Sequence, residues 1–448
     1  MLLVILAGGA SRADAQSQLI VRMAAIVCAC LALLGGGARP LAYRSVLLFL
    51  AAYGLLAVVQ LIPLPPEMWT KLPGRELLAQ AGPLAGMEQP WRPISVTPDL
   101  TINSLMSLLP ALAAVAVFAL LDRQHWHWVL AILGLLILFS GVMGLVQVSG
   151  KVDMLYLYRI TNYDTAVGVF ANRNHQALLL PMAFPLIAAI AVFPNSPISD
   201  NSTARAALVG ASLFFLPLIL VTGSRAGLVL TLIGAGSALL LYLSSGQHVK
   251  DFRRSRAGAA RAKWLWIAAV VAALILVWLT VSLSKAEAVQ RLFSQDVEQE
   301  KRYLLFWPMV QMAETYFPAG AGLGSFPDIF RIHEPFENLS LTYMNHAHND
   351  LVELAIEGGA AGILLLVLFL LWLILRSYRV WSAPAAKRYV IMGRLGSINI
   401  LMILLASLAD YPIRTPIISV LLVLSCCWLC LGEDRQQSAP RVRDPAPA

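Results

Sequence analysis

Apolar runs about twenty residues long recur from one end of this chain to the other, and they decide its fold class. A bilayer core holds no water to satisfy backbone N–H and C=O groups, so what spans it is a helix or a closed barrel. The runs are rich in Leu and Ala and lack the alternating segments of about ten residues that barrel strands carry. An all-α polytopic membrane protein is therefore expected. Composition agrees: of 448 residues, 58% are hydrophobic and 13% charged, and the mean hydropathy is +0.72, well outside the range of soluble globular domains. Runs bounded by charged or Pro/Gly clusters place spans near residues 19–34, 41–61, 104–121, 128–148, 177–192, 207–221, 228–243, 264–283, 351–375, 395–408 and 417–431. That makes about eleven. The expected organisation is transmembrane helices with short loops over 1–283, one long loop with short helices over 284–350, C-terminal transmembrane helices over 351–431, and a disordered tail over 432–448.

Basic residues mark the cytoplasmic side. Lys250, Arg253, Arg254, Arg256, Arg261 and Lys263 share one short loop with the acid Asp251, so that loop is placed inside. Arg376, Arg379, Lys387, Arg388 and Arg394 follow two spans later and fall on the same side by alternation. Counting back puts Arg205, Arg123, and Arg39 with Arg44 there too. The outer side then receives the Pro-rich segment 63–103, the loop 149–175, the tight turn 223–227 and the insert 284–350. It also receives the first residues. The apolar stretch 1–10 is too short to span and reads as a signal fragment or as the end of a further span.

These loops take up most of the net charge of +8, so the basic balance does not indicate a nucleic-acid surface. Cys28, Cys30, Cys426, Cys427 and Cys430 all sit inside apolar runs. They show neither zinc-ligand spacing nor a disulfide framework and read as small core residues.

The outer side holds polar groups that topology does not ask for. Phe170-Ala171-Asn172-Arg173-Asn174-His175 opens a span at its outer end. Arg173 gains nothing there from the positive-inside bias. It either snorkels to lipid headgroups or clamps an anion, since a guanidinium presents fixed donors matched to phosphate oxygens. Thr222-Gly223-Ser224-Arg225-Ala226-Gly227 is a turn between two spans. Its small residues permit close approach, Ser224 can cap the following helix, and Arg225 either touches headgroups or faces a ligand.

Within the insert, residues 298–316 read as an amphipathic helix with Tyr303, Phe306, Trp307 and Val310 on its apolar face and Arg302 at the margin. Taken alone, Arg302 is a solvated charge by default. The glycines of 318–326 then permit a close turn. Where the insert runs back into a span stands His346-Ala347-His348-Asn349-Asp350, and Asn349, Glu353 and Glu357 recur every four residues on one helical face. His348 at the helix start can accept a proton near neutral pH, its tautomer fixed by a neighbouring carboxylate or amide. His346, His348 and Asp350 are also metal-capable, although no Cys or further His completes a shell. An interfacial cap with ordinary headgroup contacts is the remaining alternative. Between the last two spans, Asp410 and Arg414 read as a local ion pair bracing the turn, with a substrate contact left open.

Three arginines and a histidine from separate segments thus reach one membrane face where basic residues should be sparse. A shared anionic ligand is the economical explanation. Arginines without the carboxylate clusters that hold magnesium suggest that phosphate charge is met by protein donors, and neither metal nor cofactor is expected.

The runs 170–175 and 223–227, the segment from Arg302 through Trp307 to 322–326, and above all His348-Asn349-Asp350 followed by Glu357-Gly358 resemble the O-antigen ligase and Wzy-type polymerase superfamily. The resemblance covers residues 60–416, including the early Gln60-Leu61-Ile62-Pro63-Leu64-Pro65 segment. It implies a helical membrane glycosyltransferase with about twelve spans, one more than the count above. It further implies transfer of a glycan from undecaprenyl pyrophosphate to an acceptor hydroxyl, on lipid A-core or another glycan, with inversion and without metal. The reaction would take place at the periplasmic face of a bacterial inner membrane.

By that resemblance Arg225 and Arg302 match arginines that bind the pyrophosphate, His348 matches the base, and Arg173 lies in a matching motif. His346, Asn349, Glu353, Glu357, Ser224 and Arg414 are expected in support. The partners implied are the lipid-linked donor, the acceptor and membrane lipids, not nucleic acid. Two rivals stand beside the ligase reading. A polymerase that joins repeat units differs only in its acceptor. A lipid-linked glycan transporter or flippase does no chemistry, but transporters place charges near the midplane and show internal repeats, whereas here the charges sit at span ends and the long insert occurs once.

Overall fold

The computed structural model describes residues 2–35, 43–121, 125–149, 155–194, 196, 198, 201–246, 297–339, 344–385 and 387–431. Among them eight helices are long and apolar enough to cross a membrane: Gln16–Leu34, Pro98–Leu120, Trp128–Ser149, Arg173–Ala191, Thr203–Val221, Arg225–Ser244, Asp350–Ser382 and Arg388–Ala406. Two shorter apolar helices, Arg44–Gln60 and Pro416–Leu431, stand with them. They correspond one for one to the expected spans other than 264–283. That span, the basic loop 250–263 and the tail 432–448 lie outside the described residues. The strand pairing among the described residues is a single short antiparallel contact, Pro63–Leu64 with Arg92–Pro93, in the Pro-rich segment. The protein is an all-α, multi-pass membrane protein.

Burial separates central helices from lipid-facing ones. Most of the Arg173–Ala191 and Arg388–Ala406 spans is enclosed by protein, whereas Asp350–Ser382 and Gln16–Leu34 leave most of their apolar surface outward. A helix that is apolar all round can do either, because lipid is as acceptable to Leu as a neighbouring helix. At one end of the bundle Arg394 donates to the Ala383 carbonyl at 2.7 Å and to Ser244 Oγ at 2.8 Å, and Arg388 donates to the Pro194 carbonyl at 3.0 Å. Three connections that charge counting assigns to one side therefore meet at one level.

At the opposite end the insert builds its own small core. Leu305, Met309, Met312 and Tyr316 of the Val297–Tyr316 helix pack with Phe326, Ile329, Phe330, Ala347 and Ile356. The expected apolar face is thus corrected: Phe306 and Trp307 are 44% and 64% exposed, and the packed stripe is the adjacent one. Beside a membrane the aromatic face is free to lie at the lipid interface, where Trp is at home, so aromatic content does not identify the packed face. Tyr303 lies outside the residues whose side chains are described.

The following turn is pinned to a break in the Asp350–Ser382 helix. Gly359 has φ 56 and ψ −144 there, and Gly320 has φ 77, conformations open to glycine and costly for other residues. The break lets Ala321 N reach the Ile356 carbonyl at 2.9 Å and Gly322 N the Glu357 carbonyl at 3.0 Å. Gln60 locks the junction, donating to the Glu357 carbonyl and accepting from Leu323 N, both at 2.9 Å. The stretch before Gln16 is tied to the starts of two spans: Leu2–Ala7 is helical, Ala171 N donates to the Gly9 carbonyl and Ile417 N to the Gly8 carbonyl, both at 3.1 Å.

Candidate functional site

Three helices begin beside one another at the end that carries the insert, each after a short polar residue in extended backbone. Asn172 accepts from Asn174 N at 2.8 Å, Ser224 from Gly227 N at 3.3 Å, and Asn349 from Leu351 N and Val352 N at 3.1 Å. These side chains stand in for the carbonyls that the first helical turn lacks. Their helices border one cavity of about 250 Å³, whose lining includes Asn174, His175, Ala226, Phe306, His348 and Asp410. Helix starts carry partial positive charge and unpaired N–H groups, so this wall favours an anion.

His348 stands just before the third helix with φ 50, a left-handed conformation that a residue with a Cβ adopts at a cost of about 1–3 kcal/mol. Its neighbours hold it there. Ala347 is buried in the insert core and donates its N–H to Glu353 Oε2 at 2.8 Å, and Asn349 Nδ2 donates to the Leu408 carbonyl at 3.1 Å. The imidazole then reaches across to the turn between the last two spans, with Nδ1 3.1 Å from Asp410 Oδ1. Asp410 is buried and accepts at Oδ2 from Asn174 Nδ2 at 2.6 Å and from Asn172 Nδ2 at 3.2 Å. An ionised carboxylate only accepts, so with Asp410 ionised the proton belongs on Nδ1 and Nε2 is the accepting nitrogen. The Tyr411 ring fills the space among His346, His348 and His175, with centroids 4.3, 4.9 and 5.2 Å away.

Arg173 and Arg225 are the first residues of their helices, and their neighbours Asn174 and Ala226 line the cavity. Both arginines are half-buried. Arg302 lies one turn before the lining residue Phe306 on the Val297–Tyr316 helix; its side chain is outside the described residues. Ser224 ties the second arginine's turn to the histidine's carboxylate, donating from Oγ to Asn174 Oδ1 at 2.9 Å.

Arg414 belongs to a different cluster, and the expected Asp410–Arg414 pair is corrected. The short turn Pro412–Arg414 carries Arg414 inward along the face of the Asp350–Ser382 helix. There its guanidinium lies 3.3 Å from Asp350 Oδ1, 3.3 Å from Glu353 Oε1 and 3.1 Å from Glu357 Oε2. These acids sit three, then four residues apart and so share that face. Burial works against the charge on Arg414, but Glu353 and Glu357 outweigh it and hold the guanidinium pKa well above its ordinary value.

Glu353 also takes His346 Nδ1 at 2.8 Å, so the carboxylates of this helix serve His346 and Arg414, while His348 draws its carboxylate from another segment. Glu357 accepts from Phe326 N at 3.2 Å and ties in the glycine turn. His346, His348 and Asp350 face separate partners, and among the described residues no group of three or more His, Cys, Asp or Glu is placed to hold a metal ion.

Residues 210–367 match the family model described as O-antigen ligase. Over that stretch the chain is similar to that family. The matched stretch includes Ser224, Arg225, Arg302 and the whole run from His346 to Glu357, while Asn172, Arg173 and Asn174 come from before it, and Asp410 and Arg414 from after it. No curated protein matches the chain. From sequence, Asn172 and Asn174 stand only as members of the run around Arg173, and Asp410 reads as the partner of Arg414 instead of His348. Asn172 and Asn174 flank Arg173 in a motif that reasoning does pick out, and Asp410 is masked by a basic residue four positions away.

Proposed function

We propose that this protein is a membrane glycosyltransferase of the O-antigen ligase type, which moves a glycan from undecaprenyl pyrophosphate to an acceptor hydroxyl at the periplasmic face of a bacterial inner membrane, with inversion. What carries this reading is His348, held by Asp410 at a cavity bordered by the starts of the helices that bear Arg173 and Arg225.

The acceptor oxygen bonds to the anomeric carbon as that carbon's bond to the pyrophosphate oxygen breaks, and the bonding pair leaves with the phosphate. The hydroxyl proton passes to His348 Nε2, and Asp410 stabilises the imidazolium that results. A lipid pyrophosphate is already an activated leaving group, so the larger task is to stabilise charge on the departing phosphate. Arg225, Arg302 and Arg173, with the helix starts beside them, are the donors for that task. Asn172 and Asn174 position Asp410; His346, Glu353, Glu357 and Arg414 hold the backbone on which His348 stands.

The test is transfer by the purified full chain, given carrier-linked glycan and acceptor without an energy source. Product formed by the wild type and lost on His348→Ala supports the reading; product from neither, with carrier-linked glycan moved across vesicles instead, would make the protein a transporter. Cell-surface lipopolysaccharide of a deletion strain separates the acceptors: loss of a ligase accumulates carrier-linked polymer, and loss of a polymerase leaves single repeats.

A further inference from the structure

The Pro-rich segment 61–97 joins the Arg44–Gln60 helix to the Pro98–Leu120 span and carries a short helix of its own, Glu76–Leu84. The Arg44–Gln60 helix has 17 residues and is about 25 Å long, short of a hydrocarbon core of roughly 30 Å. The chain therefore leaves it at the edge of the apolar layer. It also comes back to that level: Pro63 and Leu64 pair with Pro93 and Arg92, and Ser95 N donates to the Gln60 carbonyl at 2.9 Å. Trp91 stands next to the paired residues, so it too lies close to the helix end.

The Glu76–Leu84 helix turns Leu78, Ala79 and Gly82 toward the protein. Leu77, Ala81, Leu84 and Ala85, at i, i+4, i+7 and i+8, form one stripe on its other side, and all four are exposed. The Gln89 side chain donates to the Ala79 carbonyl, so the run 87–91 doubles back along this helix. It adds Met87 and Trp91 to the exposed apolar surface, where Leu84 is 85% and Trp91 66% exposed. Apolar side chains gathered in this way mark a surface that meets something other than water. Arg92 stands beside Trp91 with its guanidinium 5.5 Å from the Trp69 ring centroid. An apolar helix stripe flanked by Trp and Arg is the composition of a membrane interface.

We propose that the Glu76–Leu84 helix and Trp91 rest on the lipid surface, with Leu77 and Leu84 seated in the headgroup layer. A bilayer is the occupant that the segment already reaches at both ends. The exposed side chains of Val58, Val59 and Ile62 carry the lipid-facing surface of the Arg44–Gln60 helix onto the segment without a break in the chain. This contact bears on the insert as well. Arg75, buried just before the short helix, donates to the Gly320 carbonyl at 2.9 Å, and its guanidinium lies 5.3 Å from the Tyr316 ring centroid. Val96 N donates to the Ala321 carbonyl and Thr101 Oγ1 to the Leu323 carbonyl, both at 2.8 Å. A segment seated on lipid thus holds the glycine turn, and with it the insert, at a set height over the bilayer. The inference is independent of the role given to His348.

The experiment is electron paramagnetic resonance of the full chain in dioleoyl phosphatidylcholine liposomes. Nitroxide labels are attached at Leu84→Cys, at Leu77→Cys and, on the polar margin of the helix, at Gln80→Cys. Each is made in a Cys28→Ser, Cys30→Ser background, the three other cysteines being buried. Power saturation compares oxygen, which concentrates in the apolar layer, with a water-soluble nickel chelate. The labels at 84 and 77 should lose access to nickel and keep access to oxygen, and the label at 80 should keep access to nickel. Nickel access at 84 and 77 equal to that at 80 overturns the proposal. Shielding from both reagents, or spin–spin broadening at 84 that disappears on dilution with unlabelled protein, puts a second copy of the chain on the patch and overturns it as well.

Discussion

Asp410 Oδ1 lies 3.1 Å from His348 Nδ1, joining positions 62 residues apart in the chain at one part-buried contact. The contact fixes which imidazole nitrogen faces the cavity, and it gives the proton taken from an acceptor a counter-charge. His348→Ala should lower glycan transfer by about 10²- to 10⁴-fold, the usual worth of a general base. Membrane insertion should be unchanged, as read by fractionation. Asp410→Asn should lower transfer by about 10- to 100-fold. An amide in that place cannot accept from His348 and from both Asn172 and Asn174, so one donor is left facing another. Asp410→Asn with wild-type turnover would remove Asp410 from the mechanism.

Arg225 opens the helix that Ser224 caps, and a phosphate at that helix start would meet the guanidinium and the free N–H groups together. Arg225→Ala should reduce transfer by about 10- to 100-fold, the scale of a charged hydrogen bond lost from the transition state. Arg225→Lys should recover little of it, because a point charge does not reproduce the planar pair of donors. Steady-state kinetics over a range of carrier-linked donor concentration decide the matter. Full recovery by Lys would mean that Arg225 supplies only charge.

The cluster around Arg414 predicts a different phenotype. Three carboxylates with little or no solvent exposure converge on one guanidinium, so removing the arginine leaves buried charge uncompensated. Arg414→Ala should cost about 3–5 kcal/mol. It should appear as a lower melting temperature in detergent and reduced protein in the membrane, with transfer per folded molecule falling less steeply than for His348→Ala. A variant that is as stable as the wild type but inactive would move Arg414 from the scaffold to the substrate.

The spans were legible because apolar length is a local property: each run of Leu, Ala, Val and Ile reads as a helix wherever it packs. His348 was legible because it stands at the mouth of a span, where polar residues need a reason. Its partner was not. Asp410 sits four residues before Arg414, and one sequence cannot say that the chain between them turns so that Arg414 goes inward to Glu357 while Asp410 faces His348. The same limit applies to the insert helix, where Phe306 and Trp307 look like the packed face and Met309 and Met312 are. Beside a membrane, apolar character marks surfaces that avoid water, which include those that touch lipid. Asn172 and Asn174 were overlooked for a related reason: an amide becomes informative only when its partner is a buried carboxylate, and theirs comes from more than two hundred residues away.

These amides carry the last prediction. Ser224 Oγ donates to Asn174 Oδ1 at 2.9 Å, Asn174 Nδ2 donates to Asp410 Oδ2 at 2.6 Å, and Asp410 Oδ1 faces His348. The turn that precedes Arg225 is thus connected to the histidine by a continuous line of hydrogen bonds. Ser224→Ala removes the cap on Gly227 N and frees the Asn174 side chain to rotate, and should cost about 1 kcal/mol of stability. If the line positions Asp410, Ser224→Ala should also reduce transfer, and its effect in an Asp410→Asn background should be smaller than in the wild type. Residues acting through one network share their losses, and coupling of about 0.5–3 kcal/mol is the range for groups in contact. A double-mutant cycle on transfer rate, with Ser419→Ala on the last span as an uncoupled reference, measures this directly. Additive losses for Ser224 and Asp410 would mean that the serine serves its own helix alone and that the carboxylate is held without it.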